Sequence, residues 1–263
     1  MFYLFLFIFG LAIGSFLNVL IDRLPNFEGI SGRSHCDHCS HKLSYLDLIP
    51  VFSFLVLKGR CRYCKKKISP IYPIVEILTA VMFVVAWVYL PIGESLSNPV
   101  QKGIEHLVRI AYLGIIACLI VVIFTDLKYQ IIPDSLQIAF FVFSLFAIGK
   151  DVSPLFFVNR VLAALLVMTP ILLLYLLTHG RGMGFGDVKL AFTIGFLLGI
   201  KSGLISLYLA FISGALVGLI MILFKQVKLK SKIAFGPFLA LGTAMMLFYG
   251  EKVIVFVNRI YGF

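Results

Sequence analysis

A chain of 263 residues that is 61% hydrophobic and only 13% charged, with a mean hydropathy of +1.05, is more apolar than any soluble core requires. This composition excludes an ordinary soluble domain and predicts an integral membrane protein. The formal net charge of +11 fits the basic flanks of membrane helices and attraction to anionic membrane lipid, so we do not expect nucleic-acid binding.

Eight apolar runs recur along the chain, and each approaches the ~20 residues that a helix needs to cross a ~30 Å hydrocarbon layer. Because backbone in lipid must satisfy its own hydrogen bonds, helix is the expected form. The predicted fold class is an all-α polytopic membrane protein with about eight transmembrane helices. The first run lacks a basic start and a cleavage site, so we expect a retained helix. The predicted spans are residues 1–20, 71–90, 108–125, 134–149, 160–178, 188–200, 203–224 and 233–250.

The distribution of cations predicts the orientation, because lysine and arginine favour the cytoplasmic side of short loops. With the N-terminus outside, sixteen of the 23 lysines and arginines lie inside and seven lie outside. The long loop at about 21–70 is then cytoplasmic. Four of the inside lysines could also pair with an acid on a substrate, although the positive-inside bias explains them without a partner. They are Lys225, Lys228, Lys230 and Lys232.

The loop between the first two spans carries two cysteine pairs, Cys36-x-x-Cys39 and Cys61-x-x-Cys64, with 21 residues between them. Four thiolates complete a tetrahedral zinc shell, and a loop of this size can hardly build a core unless a metal ion cross-links it. The alternatives are two disulfides, which the cytosol disfavours, and free or redox-active cysteines. The pattern favours structural zinc held by all four cysteines.

Two aspartates are the candidate catalytic residues. Asp126 follows the third span and Asp187 precedes the sixth, so the topology brings both to the cytoplasmic membrane edge. An acid at membrane depth is costly and is by default functional. Two close carboxylates resist ionising together, which leaves a protonated acid beside a charged base, as peptide hydrolysis needs.

The simpler interpretation of Asp187, and of Asp134 after Pro133, is a helix N-cap. We prefer the N-cap for Asp134. Asp187 differs because alternate glycines precede it and leave room for another backbone to lie close. A transporter or proton-coupled channel could use the same two acids, but both lie at one membrane face, away from the midplane, and no inverted repeat is visible.

At this point the chain resembles the type IV prepilin peptidases, membrane aspartyl proteases of the Gly-x-Gly-Asp class. The resemblance spans nearly the whole length. It rests on Gly14-Ser15-Phe16-Leu17-Asn18-Val19 with Arg23-Leu24-Pro25, the four-cysteine loop, Asp126-Leu127 with Pro133-Asp134, Met183 to Leu190, and Phe235-Gly236-Pro237-Phe238-Leu239-Ala240-Leu241-Gly242. An inactive descendant, such as a noncatalytic zinc-bearing assembly scaffold, would be expected to lose an aspartate, and both remain.

The resemblance implies a bifunctional enzyme of the bacterial cytoplasmic (inner) membrane. Such enzymes cut the leader from prepilins and pseudopilins on the cytoplasmic side, typically after a glycine, with Asp126 and Asp187 as the matched aspartates. They then methylate the new N-terminal residue using S-adenosylmethionine. The family associates methylation with the N-terminal part, so residues 1–90 would carry it and residues 91–263 would form a six-helix protease region.

The sequence shows no glycine-rich fingerprint for the methyl donor, so its binding residues are not predicted. Glu76 and Asp22 lie in the N-terminal part, and either acid could orient an amine. Their simpler interpretations are an ion pair for Glu76 and an interfacial cap or Arg23 partner for Asp22, and we prefer those.

Overall fold

Each of the eight predicted apolar runs coincides with a helix in the computed structural model, which describes residues 1–90, 99–149, 153–224 and 234–261. The four lysines from Lys225 to Lys232 lie outside the described residues. The helices are α1 (Phe2–Arg23), α2 (Phe52–Val56), α3 (Ile71–Tyr89), α4 (Pro99–Tyr129), α5 (Asp134–Ala147), α6 (Pro154–Leu177), α7 (Phe185–Leu198), α8 (Ile200–Leu223) and α9 (Gly236–Tyr261). The described chain contains no strand, only two isolated β-bridges.

Six helices in the described part of the chain are long and apolar enough to cross a membrane: α1, α3, α4, α6, α8 and α9. The other two predicted spans, α5 and α7, have 14 residues each. A helix of that length extends ~21 Å, which is short of the ~30 Å hydrocarbon layer. The protein is therefore a multi-pass helical membrane protein, and the count of eight crossings stays a prediction.

Two predicted boundaries are wrong because apolarity marks only part of a helix. The third predicted span begins at 108, whereas α4 begins at Pro99 and has 31 residues. The last ends at 250, whereas α9 continues to Tyr261 across a kink at Tyr249. In both cases polar and charged residues continue the helix beyond the apolar window.

The chain divides into two compact units, Met1–Tyr89 and Leu90–Phe263. In the first unit α1 packs along α3. A Cβ on Gly10 would lie 2.6 Å from the Cα of Ala80, and one on Gly14 would lie 2.6 Å from the Cα of Glu76. The Gly-x-x-x-Gly pattern in α1 therefore lets two helix backbones approach closely, as small residues do in lipid.

In the second unit α7 is the central helix, in contact with α5, α6, α8 and α9. Its Leu190, Ile194 and Phe196 side chains are fully buried. Because neighbouring helices cover α7, it needs neither a long apolar exterior nor the length of a full span. The glycine-rich turn that precedes α7 therefore lies at the N-terminal end of the central helix.

Gly242→Ala should destabilise the second unit. A Cβ at Gly242 of α9 would collide with the carbonyl oxygen of Ser206 in α8, and overpacking of this kind costs about 1–3 kcal/mol. The matched control is Gly103→Ala in α4, where nothing lies within 4 Å of the added atom and alanine favours helix by about 0.5–1 kcal/mol. Denaturant unfolding in detergent measures both. Equal stability of Gly242→Ala and the wild type would contradict the close packing of α8 on α9.

Candidate functional site

Asp126 lies in the last turn of α4 and is held by the first residue of α9. Its side chain is buried, and its Oδ2 accepts a 2.8 Å hydrogen bond from the N–H of Gly236. The start of a helix presents unpaired N–H groups and the positive end of the helix dipole, which suit a carboxylate. A Cβ on Gly236 would lie 2.8 Å from Oδ2, so this contact requires glycine.

Asp187 lies in the first turn of α7 and is also buried. Its Oδ2 accepts a 3.1 Å hydrogen bond from the N–H of Gly184, the residue before the helix. Asp187 is thus not the predicted N-cap, which is Gly184, but the third helical residue, and its side chain reaches back to the N-cap N–H with only one oxygen. Oδ1 is buried and has no hydrogen-bond partner. An unpaired buried carboxylate oxygen costs free energy, which marks Asp187 as more than a cap.

The structure brings the two aspartates to one site. Ile132, in the connection between α4 and α5, lies between the turns that hold them. Its Cδ1 would be 3.2 Å from a Cβ on Gly236 and 3.7 Å from one on Gly186. Ile132 thus contacts both the turn that binds Asp126 and the turn that carries Asp187. Residues far apart in sequence thus form a single buried pair of acids.

Asp134 does not have the predicted N-cap role, because the N-cap position of α5 is Pro133 and Asp134 is the first helical residue. Its Oδ1 instead accepts a 2.6 Å hydrogen bond from Nζ of Lys189 in α7. The Asp134 side chain is 70% exposed, so this ion pair contributes at most about 1 kcal/mol. The pair links α5 to α7 beside the site without entering it.

Gln137 of α5 is a further residue of the site that the sequence analysis missed. It is buried, and its Nε2 donates a 2.9 Å hydrogen bond to the carbonyl oxygen of Gly186. That carbonyl belongs to the residue immediately before Asp187. A long polar side chain inside an apolar stretch of α5 was the signal that could have identified it.

The four predicted metal ligands converge in the first unit. The Sγ atoms of Cys36, Cys39, Cys61 and Cys64 all lie within 4.8 Å of one another, and Cys36 and Cys64 Sγ are 3.9 Å apart. A tetrahedron with Zn–S bonds of ~2.3 Å has S–S edges of ~3.8 Å. All five cysteines of the chain lie in described segments, and none forms a disulfide. The cluster therefore has the donors and the size to hold a metal ion.

Both cysteine pairs lie on turns with the same backbone pattern. In the first, the N–H of Cys36 donates to the His41 carbonyl and Ser40 donates back to Cys36. In the second, Cys61 donates to Lys66 and Lys65 donates back to Cys61. Short bridges close the turns at His35–Lys42 and Arg60–Lys67. Each turn presents its two thiols as a knuckle, which explains why the x-x spacing brings the four together.

Asp47 fastens the second knuckle to the rest of the loop. Its carboxylate accepts hydrogen bonds from Arg62 Nε at 2.6 Å, from the Tyr63 hydroxyl at 3.1 Å and from both the N–H and the hydroxyl of Ser44. Burial opposes the charge, but these donors hold the pKa of Asp47 below its ordinary value of 3.8. Its stabilisation is thus complete at neutral pH and is lost only as the pH falls below about 3.8.

Asp47→Asn should therefore loosen the metal cluster at neutral pH. The change removes the charge from these hydrogen bonds while Asn can still accept, so a total loss of about 1.5 kcal/mol is expected, and a chelator should remove a bound metal about tenfold faster. Glu28→Gln, a neutralised exposed acid in the same loop, is the control. The same release rate for Asp47→Asn as for the control would refute the fastening role.

The two acids suspected in the N-terminal part each accept a hydrogen bond from a neutral group. Glu76 is buried, and its Oε2 accepts a 2.7 Å hydrogen bond from the N–H of Val51. That partner differs from the ion pair preferred for Glu76. Asp22 accepts a 2.8 Å hydrogen bond from the hydroxyl of Tyr72. Arg23 donates to the backbone carbonyls of Gly29, Ile30, Ser31 and Arg33.

Comparison with known proteins gives a consistent result. Residues 8–90 match the model of the bacterial peptidase A24 N-terminal domain, and residues 113–219 match that of the type IV leader peptidase family. Three relatives are named prepilin leader peptidase/N-methyltransferase. The one from Bacillus subtilis is 33% identical over 95% of this chain and 96% of its own length. Those from Aeromonas hydrophila and Legionella pneumophila are also 33% identical, over 94% and 96% of this chain and 90% and 93% of their own.

No solved structure matches the chain. The two domain models follow each other along the sequence, and the similarity to the relatives extends over nearly all of it. The chain therefore belongs to the type IV leader peptidase family.

Proposed function

We propose that this chain is a membrane aspartyl endopeptidase that removes the leader of type IV prepilins or pseudopilins, and that Asp126 and Asp187 are its catalytic residues. The observation that carries this proposal is the buried pair of carboxylates, each held by one backbone N–H at the start of a helix. Family membership and the names of the relatives support the reaction and the substrate class.

The pair performs general acid–base hydrolysis. The two carboxylates share one proton because like charges so close do not both ionise. The ionised aspartate takes a proton from water as the water oxygen bonds to the scissile carbonyl carbon, and the other gives its proton to the carbonyl oxygen. In the collapse the roles reverse. The aspartate that took the water proton gives it to the amine nitrogen as the C–N bond breaks, and the other aspartate takes a hydroxyl proton back as the carbonyl re-forms. The Gly184 and Gly236 N–H groups fix one oxygen of each acid, which orients the other oxygen.

The substrate meets this pair at the cytoplasmic membrane edge. The positive-inside distribution of lysine and arginine supports an outside N-terminus and a cytoplasmic active site, in the inner membrane of a bacterium. A prepilin offers a short leader followed by an apolar helix, and the bond to be cut lies where they join. Since an intact helix buries that carbonyl in its own hydrogen bonds, a turn of the substrate must unwind before it is cut.

The four-cysteine cluster binds structural zinc in this proposal. Four thiolates at nearly tetrahedral separations suit zinc, and a site closed by four protein ligands leaves no open position for catalysis. Zinc would supply the folding energy that a small loop lacks. The bound metal fixes the two knuckles to each other.

The N-methyltransferase activity is assigned to residues 1–90, because the N-terminal domain model matches there and the relatives carry that activity in their names. S-adenosylmethionine would supply the methyl group. Glu76 and Asp22 are two acids in this part that could orient the new amine, although we prefer structural roles for both. The described residues contain no motif that marks a site for the donor, so we derive no step of methyl transfer.

Intact-mass spectrometry of a type IV prepilin incubated with the purified protein in detergent tests the function. We expect loss of the leader, followed by a gain of ~14 Da only when S-adenosylmethionine is present. As a control, another prepilin peptidase is shown to cut the same prepilin in a parallel reaction. A prepilin that this control cuts and this protein leaves intact would contradict the peptidase proposal.

A further inference from the structure

Within the described residues, the second unit contains three buried acceptor oxygens that the fold itself does not use. Three buried side-chain oxygens in the described part of the chain lack a hydrogen-bond partner. Two of them, Gln137 Oε1 and Asp187 Oδ1, belong to residues that meet at Gly186, because Gln137 Nε2 binds the Gly186 carbonyl oxygen and Asp187 follows Gly186 in the chain. Asp187 Oδ1 is available for the hydrolytic step. Gln137 Oε1 has no role in that step and needs another explanation.

The orientation of the Gln137 amide follows from its partner. A carbonyl oxygen only accepts hydrogen bonds, so the Gly186 carbonyl must face the NH2 group of Gln137. Oε1 is then the remaining end of the amide. Gln137 is 6% exposed, so bulk water does not satisfy this oxygen. A buried acceptor without a donor is costly unless a ligand supplies one.

Gln137 also lines an apolar cavity of about 490 Å³ between α5, α6 and α7. The wall includes Phe141, Met168, Leu172, Val188 and Phe192. Two other polar residues reach this wall, but Lys189 Nζ is paired with Asp134 and the Thr193 hydroxyl donates to its own helix. Gln137 therefore joins the wall of an apolar cavity to the turn before Asp187, and its Oε1 has no donor within the fold.

The chemistry of this surface fits an unwound apolar peptide. Such a segment carries apolar side chains for the cavity and backbone N–H groups that lost their helical acceptors. In a membrane those N–H groups must find new acceptors, because no water replaces them. A lipid acyl chain would fill the same cavity but has no donor for Oε1.

We propose that Gln137 is a substrate-positioning residue whose Oε1 accepts a backbone N–H of the unwound prepilin segment while its Nε2 holds Gly186. This inference rests on the proposed peptidase function. One amide thus fixes both the reactive turn and the peptide that passes it. The contact favours the unwound substrate and the register that presents the scissile bond to Asp126 and Asp187.

The test is a backbone ester scan of a prepilin peptide, because an ester in place of an amide removes one N–H and keeps the shape. Each position near the cleavage point except the scissile bond is replaced in turn, and kcat/KM is measured with wild type, Gln137→Met and Ser144→Ala. Ser144 lies on the same helix and bonds only to the Phe140 carbonyl, so Ser144→Ala is the matched control.

We expect one ester to lower kcat/KM about tenfold with wild type and with Ser144→Ala, which corresponds to one lost hydrogen bond. Gln137→Met should already have a lower kcat/KM for the parent all-amide peptide. Its kcat/KM for the ester peptide should be no lower than that, because the contact is absent in both cases. Ester sensitivity that persists unchanged in Gln137→Met would overturn the contact. A second result would also overturn it. In that result Gln137→Met lowers kcat/KM equally for every peptide, and no ester position lowers kcat/KM of the wild type.

The wild-type scan keeps the inference testable if Gln137→Met does not fold, since the absence of any sensitive position overturns it without a variant. Failure of the wild type to cut the parent all-amide peptide is a different result. It would overturn the peptidase proposal, and the inference with it.

Discussion

Asp126→Asn and Asp187→Asn should each lower kcat for prepilin cleavage by about 10³-fold or more, with KM changed only a few-fold. Each substitution keeps the shape of the side chain and its bond to the Gly236 or Gly184 N–H, but removes the proton acceptor or donor. General acid–base groups contribute about 10²–10⁴-fold each. Single-turnover cleavage in detergent measures the loss without interference from product release.

The double variant should be no slower than either single variant by more than a few-fold, because two groups that act as one unit are not additive. Asp134→Asn is the matched control, since its exposed carboxylate lies on the adjacent helix and bonds only to Lys189. It should retain most of the wild-type rate. Substantial cleavage by either active-site variant would remove that aspartate from the mechanism.

Replacing Cys36 and Cys39 together by serine should abolish zinc binding and lower the folded yield of the protein. Two of four thiolates are lost, and the apparent binding energy of a four-ligand zinc site in a small domain is about 10–16 kcal/mol. Asp47 holds the second knuckle to Ser44, so it does not replace the metal as a link between the two knuckles. Elemental analysis of the purified protein measures the zinc content.

Cys118→Ala is the control for this experiment, because Cys118 is buried in α4 and lies in the other compact unit. It should retain one zinc per chain. Full zinc occupancy in the Cys36→Ser/Cys39→Ser variant would rule out the ligand assignment.

Local patterns made much of this fold predictable. Apolar runs located the helices because hydrophobicity over some twenty residues is a property of the segment itself. The x-x spacing of the cysteines predicted the cluster because a knuckle is a local turn. Asp126 and Asp187 could be singled out because an acid at membrane depth stands out in an apolar sequence.

The contacts that hold the site were not predictable in the same way, because they join distant segments. Gly236 binds Asp126 across 110 positions of sequence, and Gln137 binds Gly186 across 49. Asp134 resembles an N-cap locally, yet its partner Lys189 comes from another helix. The shortness of α7 likewise follows from its burial by four neighbours, which no single segment encodes.

Binding of a peptide with a tetrahedral –CH(OH)– group in place of the scissile carbonyl tests the central claim most directly, namely that the two aspartates act together on that carbonyl. Wild type should bind this analogue at least ~10²-fold more tightly than the parent peptide, as transition-state analogues do. Asp126→Asn and Asp187→Asn should each bind the two peptides about equally well. Equal preference for the analogue in wild type and both variants, measured by calorimetry in detergent, would contradict a shared role for the pair.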